Sequence, residues 1–284
     1  MRKKIHAIIV ILLILVISMT LCVEDNNKTK EPKKGPWVDL KNFNGFLTQN
    51  FEIEEKEETG SSIVKAIEDP TGSLYIVVGT DIPFTDAEGE AIHHFVETGG
   101  NLIVFSDNQN INNLSKKFGI RYSPYKILDK GFDYNLSFIP INVGIDGNMF
   151  NIIVHSPRGL EITAPKYKLL AESSEYPGSI NSVLDENNNN KIDSGDKPGP
   201  IPIIVEVSVN DGRAIFITDA GVITDNLWRL TSVSDKPEYS GHQYQNEEFI
   251  TNLIDSMYSG GKLIYDKSKQ TDNFSNFHPY PTPE

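Results

Sequence analysis

A chain of 284 residues, 38% of them hydrophobic, can bury a full core, which excludes a wholly disordered protein. The formal net charge is −13, and without residues 1–36, which carry 7 Lys+Arg and 3 Asp+Glu, the remainder holds 19 basic against 36 acidic residues, or −17. With no basic stripe to meet a phosphate backbone, nucleic acid is excluded and a cation is the more natural ligand; with Cys22 as the one cysteine, a disulfide framework, a cysteine zinc site and a cysteine nucleophile are excluded from the folded part.

Behind the basic cap Met1-Arg2-Lys3-Lys4, Ile5 to Val23 forms 19 almost uninterrupted apolar residues. At about 1.5 Å per residue they match a hydrocarbon core of about 30 Å. The expectation is one transmembrane helix over residues 1–23, its N-terminus cytoplasmic and the rest of the chain outside the cell membrane. A cleaved signal peptide and a lipoprotein are the alternatives, the latter because Met19-Thr20-Leu21-Cys22 resembles a lipobox, with Leu21 where a small residue belongs. Residues 24–36, polar and punctuated by proline, read as a stalk, and residues 37–266 as an extracytoplasmic α/β domain.

Within that domain Phe43, Phe46 and Leu47 predict a short helix, Phe51 to Ile53 an edge strand, and Ile63, Val64 and Ile67 a second short helix. Leu74–Val78 is a β-branched apolar run of the kind buried on both faces of a sheet. Thr85 with Glu88 three residues on forms a capping box, which predicts a helix over 86–97. Ala87, Ala91, Ile92, Phe95 and Val96 share one face of it, and Glu90, His93, His94 and Glu97 fall mostly on the other. Gly99-Gly100 ends the helix and Leu102 to Phe105 starts another buried strand, parallel to the first by the right-handed crossover rule.

Leu114 to Phe118 predicts one more short helix, ended by Gly119. Residues 122–200 then read as a β-rich insertion, with strands best marked over 138–143, 151–154 and 167–170. Asn210-Asp211-Gly212, between the apolar runs 201–209 and 213–218, predicts a hairpin. Phe249, Leu253, Ile254 and Met257 mark a last amphipathic helix, Gly260-Gly261 stops it, and Lys262 to Tyr265 gives a last strand before a polar, proline-rich tail, 267–284, expected to be disordered.

Three segments carry a resemblance: FTDAEGEAIHHFVETGGNLIVFSD after the first buried strand, LDENNNNKIDSGDKPGPIPIIVEV, and GRAIFITDAGVITDN followed by NEEFITNLIDSMYSGGKLIYD. In this order they resemble a family of membrane-anchored prokaryotic proteins with a flavodoxin-like domain, related to class I glutamine amidotransferases and to the auxiliary domain of gliding-type ABC transporters. The resemblance implies a mostly parallel sheet with helices on both faces, a place outside the membrane, and no enzyme activity. The amidotransferase nucleophile is a cysteine on a tight strand-to-helix turn, and with Cys22 alone that chemistry is excluded. Asp219, Asn226 and Asn246 match the family's pattern as residues that brace loops.

Asp81, Asp107 and Asp219 each follow an expected strand, and ligands of open parallel sheets bind outside the strands' carboxyl ends, so three acids there could hold a cation or amine. Aspartate is also simply a common turn residue after a strand. Glu90-x-x-His93 with His94 has di-iron spacing, but without partner helices it reads as a solvated face. The sharpest local pattern is Asp185, Asn187, Asn189, Lys191, Asp193 and Asp196, oxygen donors at positions 1, 3, 5, 7, 9 and 12 of a dockerin-like calcium loop, with an asparagine-rich surface turn as the alternative. No nucleophile elbow, zincin motif, P-loop or dinucleotide fingerprint is present. The expected function is a membrane-anchored, non-catalytic binding or scaffolding domain meeting a protein partner of the envelope or a transport complex. The alternative is a carboxylate-dependent or metal-assisted hydrolase at the Asp81/Asp107/Asp219 rim.

Overall fold

The computed structural model describes residues 39–54, 60–65, 67–130, 136–174, 182–229 and 244–269. In chain order these run α1 (Lys41–Asn50), β1 (Ile53–Glu54), α2 (Gly60–Lys65), β2 (Leu74–Val78), α3 (Asp86–Glu97), β3 (Asn101–Phe105) and α4 (Asn112–Ser115). There follow β4 (Ile120–Asp129), β5 (Phe138–Ile145), β6 (Asn148–His155), β7 (Arg158–Ile162), β8 (Tyr167–Glu172), β9 (Ser182–Leu184) and β10 (Lys197–Pro198). β11 (Pro202–Val209), β12 (Gly212–Ile217), α5 (Asp225–Trp228), α6 (Asn246–Met257) and β13 (Leu263–Asp266) complete the described chain.

The centre is the strand–helix–strand unit β2-α3-β3. All five residues of β2 are buried, because alternate side chains enter two different layers: Leu74, Ile76 and Val78 join one apolar cluster, Tyr75 and Val77 the other. Both bonds of the capping box form at the start of α3: Thr85 Oγ1 accepts the Glu88 N–H at 3.2 Å, and Glu88 Oε2 accepts the Thr85 N–H at 2.7 Å. At the other end Gly99 takes φ +104°, and Gly100 leaves room for the Phe95 ring, which occupies the place where a Cβ would stand. Phe95 thus packs with Ile92 and Val96 against Tyr75, Val77, Leu102 and Val104, and β2 and β3 pair in parallel from Leu74↔Asn101 to Val78↔Phe105.

β2 and β3 lie within a seven-stranded sheet of order β1-β13-β2-β3-β12-β11-β8. The five strands from β1 to β12 are parallel, and β11 and β8 add on antiparallel. α1 and α6 cover one face through Phe43, Leu47, Phe249, Leu253 and Met257, and α2, α3 and α4 cover the other through Val64, Ile92, Phe95 and Leu114. The hairpin β5-β6 packs its Ile139, Ile141, Val143, Ile152 and Val154 into the α1/α6 cluster. β4 serves both clusters, Ile120 and Tyr122 on one side and Ile127 on the other, and forms with β10, β9 and β7 an antiparallel sheet of its own.

This architecture corrects two expectations. The sheet system is mixed α/β and not a flavodoxin-like, mostly parallel one: of ten strand pairings among the described residues, six are antiparallel. The physical reason is that the segment between β3 and β12 feeds β8 and β11 into the edge of the main sheet and lays β4 and β7 beside it, where antiparallel neighbours need no crossover helix. Secondly, no helix among the described residues is long and apolar enough to cross a membrane, so the transmembrane helix, and with it the placement outside the cell membrane, is withdrawn; Ile5–Val23 lies outside the described residues. Lys269, in the expected tail of residues 267–284, is buried, with its ammonium on Glu88 Oε1 and Oε2 at 2.8 and 3.0 Å and 5.0 Å from the Phe84 ring centroid; residues 270–284 lie outside the described residues.

Candidate functional site

The three acids sit where the sequence puts them, just after β2, β3 and β12, but the crevice they were expected to line is built over. Tyr122 of β4 reaches the last residue of β12, donating its hydroxyl to the Ile217 carbonyl at 3.4 Å. Asn112 fixes that approach by accepting the Tyr122 N–H at 2.7 Å and donating to the Tyr122 carbonyl at 3.0 Å. Arg158, at the start of β7, gives its backbone N–H to the Thr218 carbonyl at 3.3 Å, and its guanidinium to the carbonyls of Asp107 and Pro124. The ends of β2 and β3 are joined by Thr80 Oγ1 and Ser106 Oγ, 2.7 Å apart.

Under this cover the acids differ. Asp219 is fully buried, and both its oxygens are taken by backbone donors, Oδ2 by the His155 N–H at 2.7 Å and Oδ1 by the Gly221 N–H at 2.6 Å. Burial pushes its carboxyl up to about 8; the two amides pull it down and the Asp107 charge pushes it further up. Asp107 is half-buried, and burial raises its carboxyl against the pull of its own amide and of Arg158 and Lys126. Asp81, also half-buried, adds repulsion at Asp107 and lends its carbonyl to Asn110 Nδ2 at 2.7 Å. Burial also holds the neighbouring His155 imidazole at about 4, with the Lys126 charge helping. The arrangement can hold protons and brace turns, but Asp219 presents no oxygen to solvent.

Asn246 works in the same way. It opens α6 buried, accepting the Ile153 N–H at 3.0 Å and donating to the Ile153 carbonyl at 2.8 Å. Gln245 beside it donates its N–H to the Asn151 carbonyl at 2.8 Å and accepts the Asn151 N–H on Oε1 at 3.1 Å. Together they occupy the outer edge of β6. Asn226 lies half-buried in α5. None of the three rim acids lines the clefts found among the described residues beside Tyr125, Leu160, Leu184 and Lys197, about 120 Å³, and between α2 and α3, about 520 Å³.

The loop of residues 185–196 turns most of its side-chain oxygens on itself, while Asp196 Oδ1 is buried without a hydrogen-bond donor among the described residues. Asp185, 2% exposed, accepts the N–H groups of Asn189 and Asn190 at 3.1 and 3.0 Å, and Asn189 Oδ1 accepts that of Lys191 at 2.8 Å. Asp193 receives the side-chain amides of Asn187 and Asn189 at 3.1 and 2.6 Å and the Gly195 N–H at 2.8 Å, and these donors hold its carboxyl below the usual range. Asp196 Oδ2 accepts the Asp193 N–H at 2.9 Å. Asn188 and Asn190 take φ of 55° and 56°, the left-handed region that asparagine tolerates best after glycine. Among the described residues no group of three or more His, Cys, Asp or Glu stands where it could hold a metal ion, so the calcium expectation rests on spacing alone.

Sequence reasoning missed Arg158 and Lys269. In the sequence Arg158 is one cation between two expected strands, and Lys269 lies in a segment whose composition argues for disorder. Their partners are 51 and 181 positions away, and no local pattern names such a pair.

No family model matches the chain, and no curated protein matches it. Among solved structures, the mmIFT52 N-terminal domain is 15% identical, with a TM-score of 0.51 over 77% of this chain and 89% of that one. The exo-β-1,4-mannosidase Op5Man5 from Opitutaceae bacterium strain TAV5 is 15% identical, with a TM-score of 0.31 over 53% of this chain and 21% of that one. The β-galactosidase from Rahnella sp. R3 is 13% identical, with a TM-score of 0.36 over 65% and 22%. This chain therefore spans about a fifth of the length of those two glycosidases, and likenesses at that level carry no argument about it. With no family model matching and the mmIFT52 N-terminal domain as a structural neighbour, the flavodoxin-like, amidotransferase-related family expected from the three motif segments is withdrawn. What the comparison shows is a fold: the chain is similar in architecture to the mmIFT52 N-terminal domain.

Proposed function

We propose that the α/β unit is a non-catalytic binding or scaffolding domain whose ligand is another protein. The observation that carries this is Asp219: fully buried, with both carboxyl oxygens spent on backbone N–H groups, beneath β4 and β7. A carboxylate hydrolase needs at least two acids facing substrate and water, and Asp219 is sealed from both. The missing nucleophile and phosphate-binding motifs support the same reading.

Photo-cross-linking of the full-length chain in its own cells tests it. The expected result is a partner protein that cross-links equally to the wild type and to an Asp107→Asn chain. Turnover of aryl glycosides or phosphoesters that vanishes in Asp107→Asn, at an unchanged urea midpoint, would overturn it.

A further inference from the structure

β8 ends the seven-stranded sheet, and among the described residues no strand pairs with its outer side. Its pairing with β11 decides which backbone groups face outward. The Ser208 N–H reaches the Lys166 carbonyl at 3.4 Å, and Tyr167 stands opposite Val207, Lys168 opposite Glu206 and Leu169 opposite Val205. In an antiparallel pair, hydrogen-bonded and non-hydrogen-bonded positions alternate. Lys166 and Lys168 therefore bond to β11, while the N–H and C=O groups of Tyr167 and Leu169 point away from the sheet. Tyr167 and Leu169 are also two of the large apolar side chains most open to solvent, 53% and 39% exposed. Lysines and bulges blunt an edge against its own kind, and β8 carries both, in Lys168, Lys166 just before it and a register shift beyond Leu169; outward backbone and apolar side chains still coincide at Tyr167 and Leu169.

Charge selects the occupant. Lys166 and Lys168 are exposed on a chain of net charge −13, and the acids nearest in register are already engaged: Glu206 with Arg213 at 3.8 Å, and Glu161 with Arg121 at 3.2 Å. Glu172 closes the far end of the strand. A second copy docking by its own β8 would set lysine against lysine between two acidic bodies, which disfavours it. We infer that β8 is a docking edge for an extended segment of a partner protein in which acidic residues alternate with apolar ones. The apolar set lies beside Tyr167 and Leu169, the acidic set beside Lys166 and Lys168, and the segment's main chain bonds to the outward groups of Tyr167 and Leu169. This rests on the binding-module reading and adds its surface and the chemistry of its partner.

The test uses the purified full-length chain and a fluorescent octapeptide of alternating glutamate and valine, read by anisotropy, with alternating lysine and valine as control. Saturable binding is expected for the glutamate peptide, about tenfold or more weaker for the lysine peptide. Leu169→Pro removes an outward N–H and leaves the β11 ladder intact, so it should weaken binding by about tenfold or more at an unchanged urea midpoint. The Lys166→Glu, Lys168→Glu double variant keeps the backbone and should reverse the preference between the peptides. No binding, equal binding of the two peptides, or full binding by both variants overturns the proposal. So does a concentration-dependent dimer that Leu169→Pro dissolves, because the occupant is then a second copy. If the edge fails while the cellular cross-links persist in Leu169→Pro, the docking surface lies elsewhere and the binding-module reading stands. Catalytic turnover would instead remove that reading.

Discussion

Two buried carboxylates, Asp219 at the rim and Glu88 at the start of α3, end in opposite electrostatic states. Asp219 has two backbone amides and no cation, and burial wins, raising it to about 8. At Glu88 burial also pushes upward, but the Lys269 ammonium and the Thr85 donors outweigh it and hold the carboxyl below its usual value. Neutral dipoles orient a buried acid without fully replacing its water, whereas an ammonium in contact does both. The rim is therefore the part of the fold that alkali weakens, and the helix start the part that acid weakens.

Removing the rim carboxyl is the harshest way to break this comparison. Asp219→Ala leaves the His155 and Gly221 amides without acceptors in a sealed site and should cost about 3 kcal/mol at pH 6 in a urea titration. The cost should shrink at alkaline pH. The folded value of about 8 lies above the ordinary 3.8, so this group's contribution is complete below pH 3.8 and lost as pH rises through 8. His155, lowered from 6.5 to about 4, runs the other way, its contribution growing from pH 4 to 6.5 and constant above. Between pH 6.5 and 8 only Asp219 of the two still titrates, and wild-type stability should fall there while Asp219→Ala stays flat. A wild-type curve level across that window would mean that solvent reaches Asp219.

Lys269→Met should come next, at about 2 kcal/mol, less than a fully buried orphaned charge because Thr85 still donates to Glu88. Adding Glu88→Gln should recover most of it, and a double variant no better than the single one would deny the pairing. Thr85→Ala should cost about 1 kcal/mol, the usual worth of an N-cap, with amide exchange accelerated in the first turn of α3. The smallest effect belongs to Asp193→Asn. Its carboxylate also accepts only neutral donors, but in the open, and the urea midpoint should not move measurably.

The same distinction between near and far partners explains what could be read from the sequence. α3 begins and ends where Thr85, Glu88 and Gly99-Gly100 place it, because caps act over three or four residues. The β11-β12 hairpin follows from Asn210-Asp211-Gly212, Asn210 taking φ 50° at its turn. The neighbour of β8 and the path of β4 over the strand ends were not legible, since alternation reports that a strand has a buried face and not which strand lies beside it. The parallel sheet was over-extended for that reason. Asp219 and Asn246 could be singled out by position, but whether an aspartate after a strand meets ligand or backbone depends on Tyr122 and Arg158, 97 and 61 positions away in the chain.

The amides of Gln245 and Asn246 along β6 bear on how far strand pairing can spread. Because they stand in for a neighbouring strand at Asn151 and Ile153, β6 has no open ladder there for another strand to join. A strand added at β8 therefore finds no growth point at Asn151 and Ile153 of β6 from which pairing could propagate.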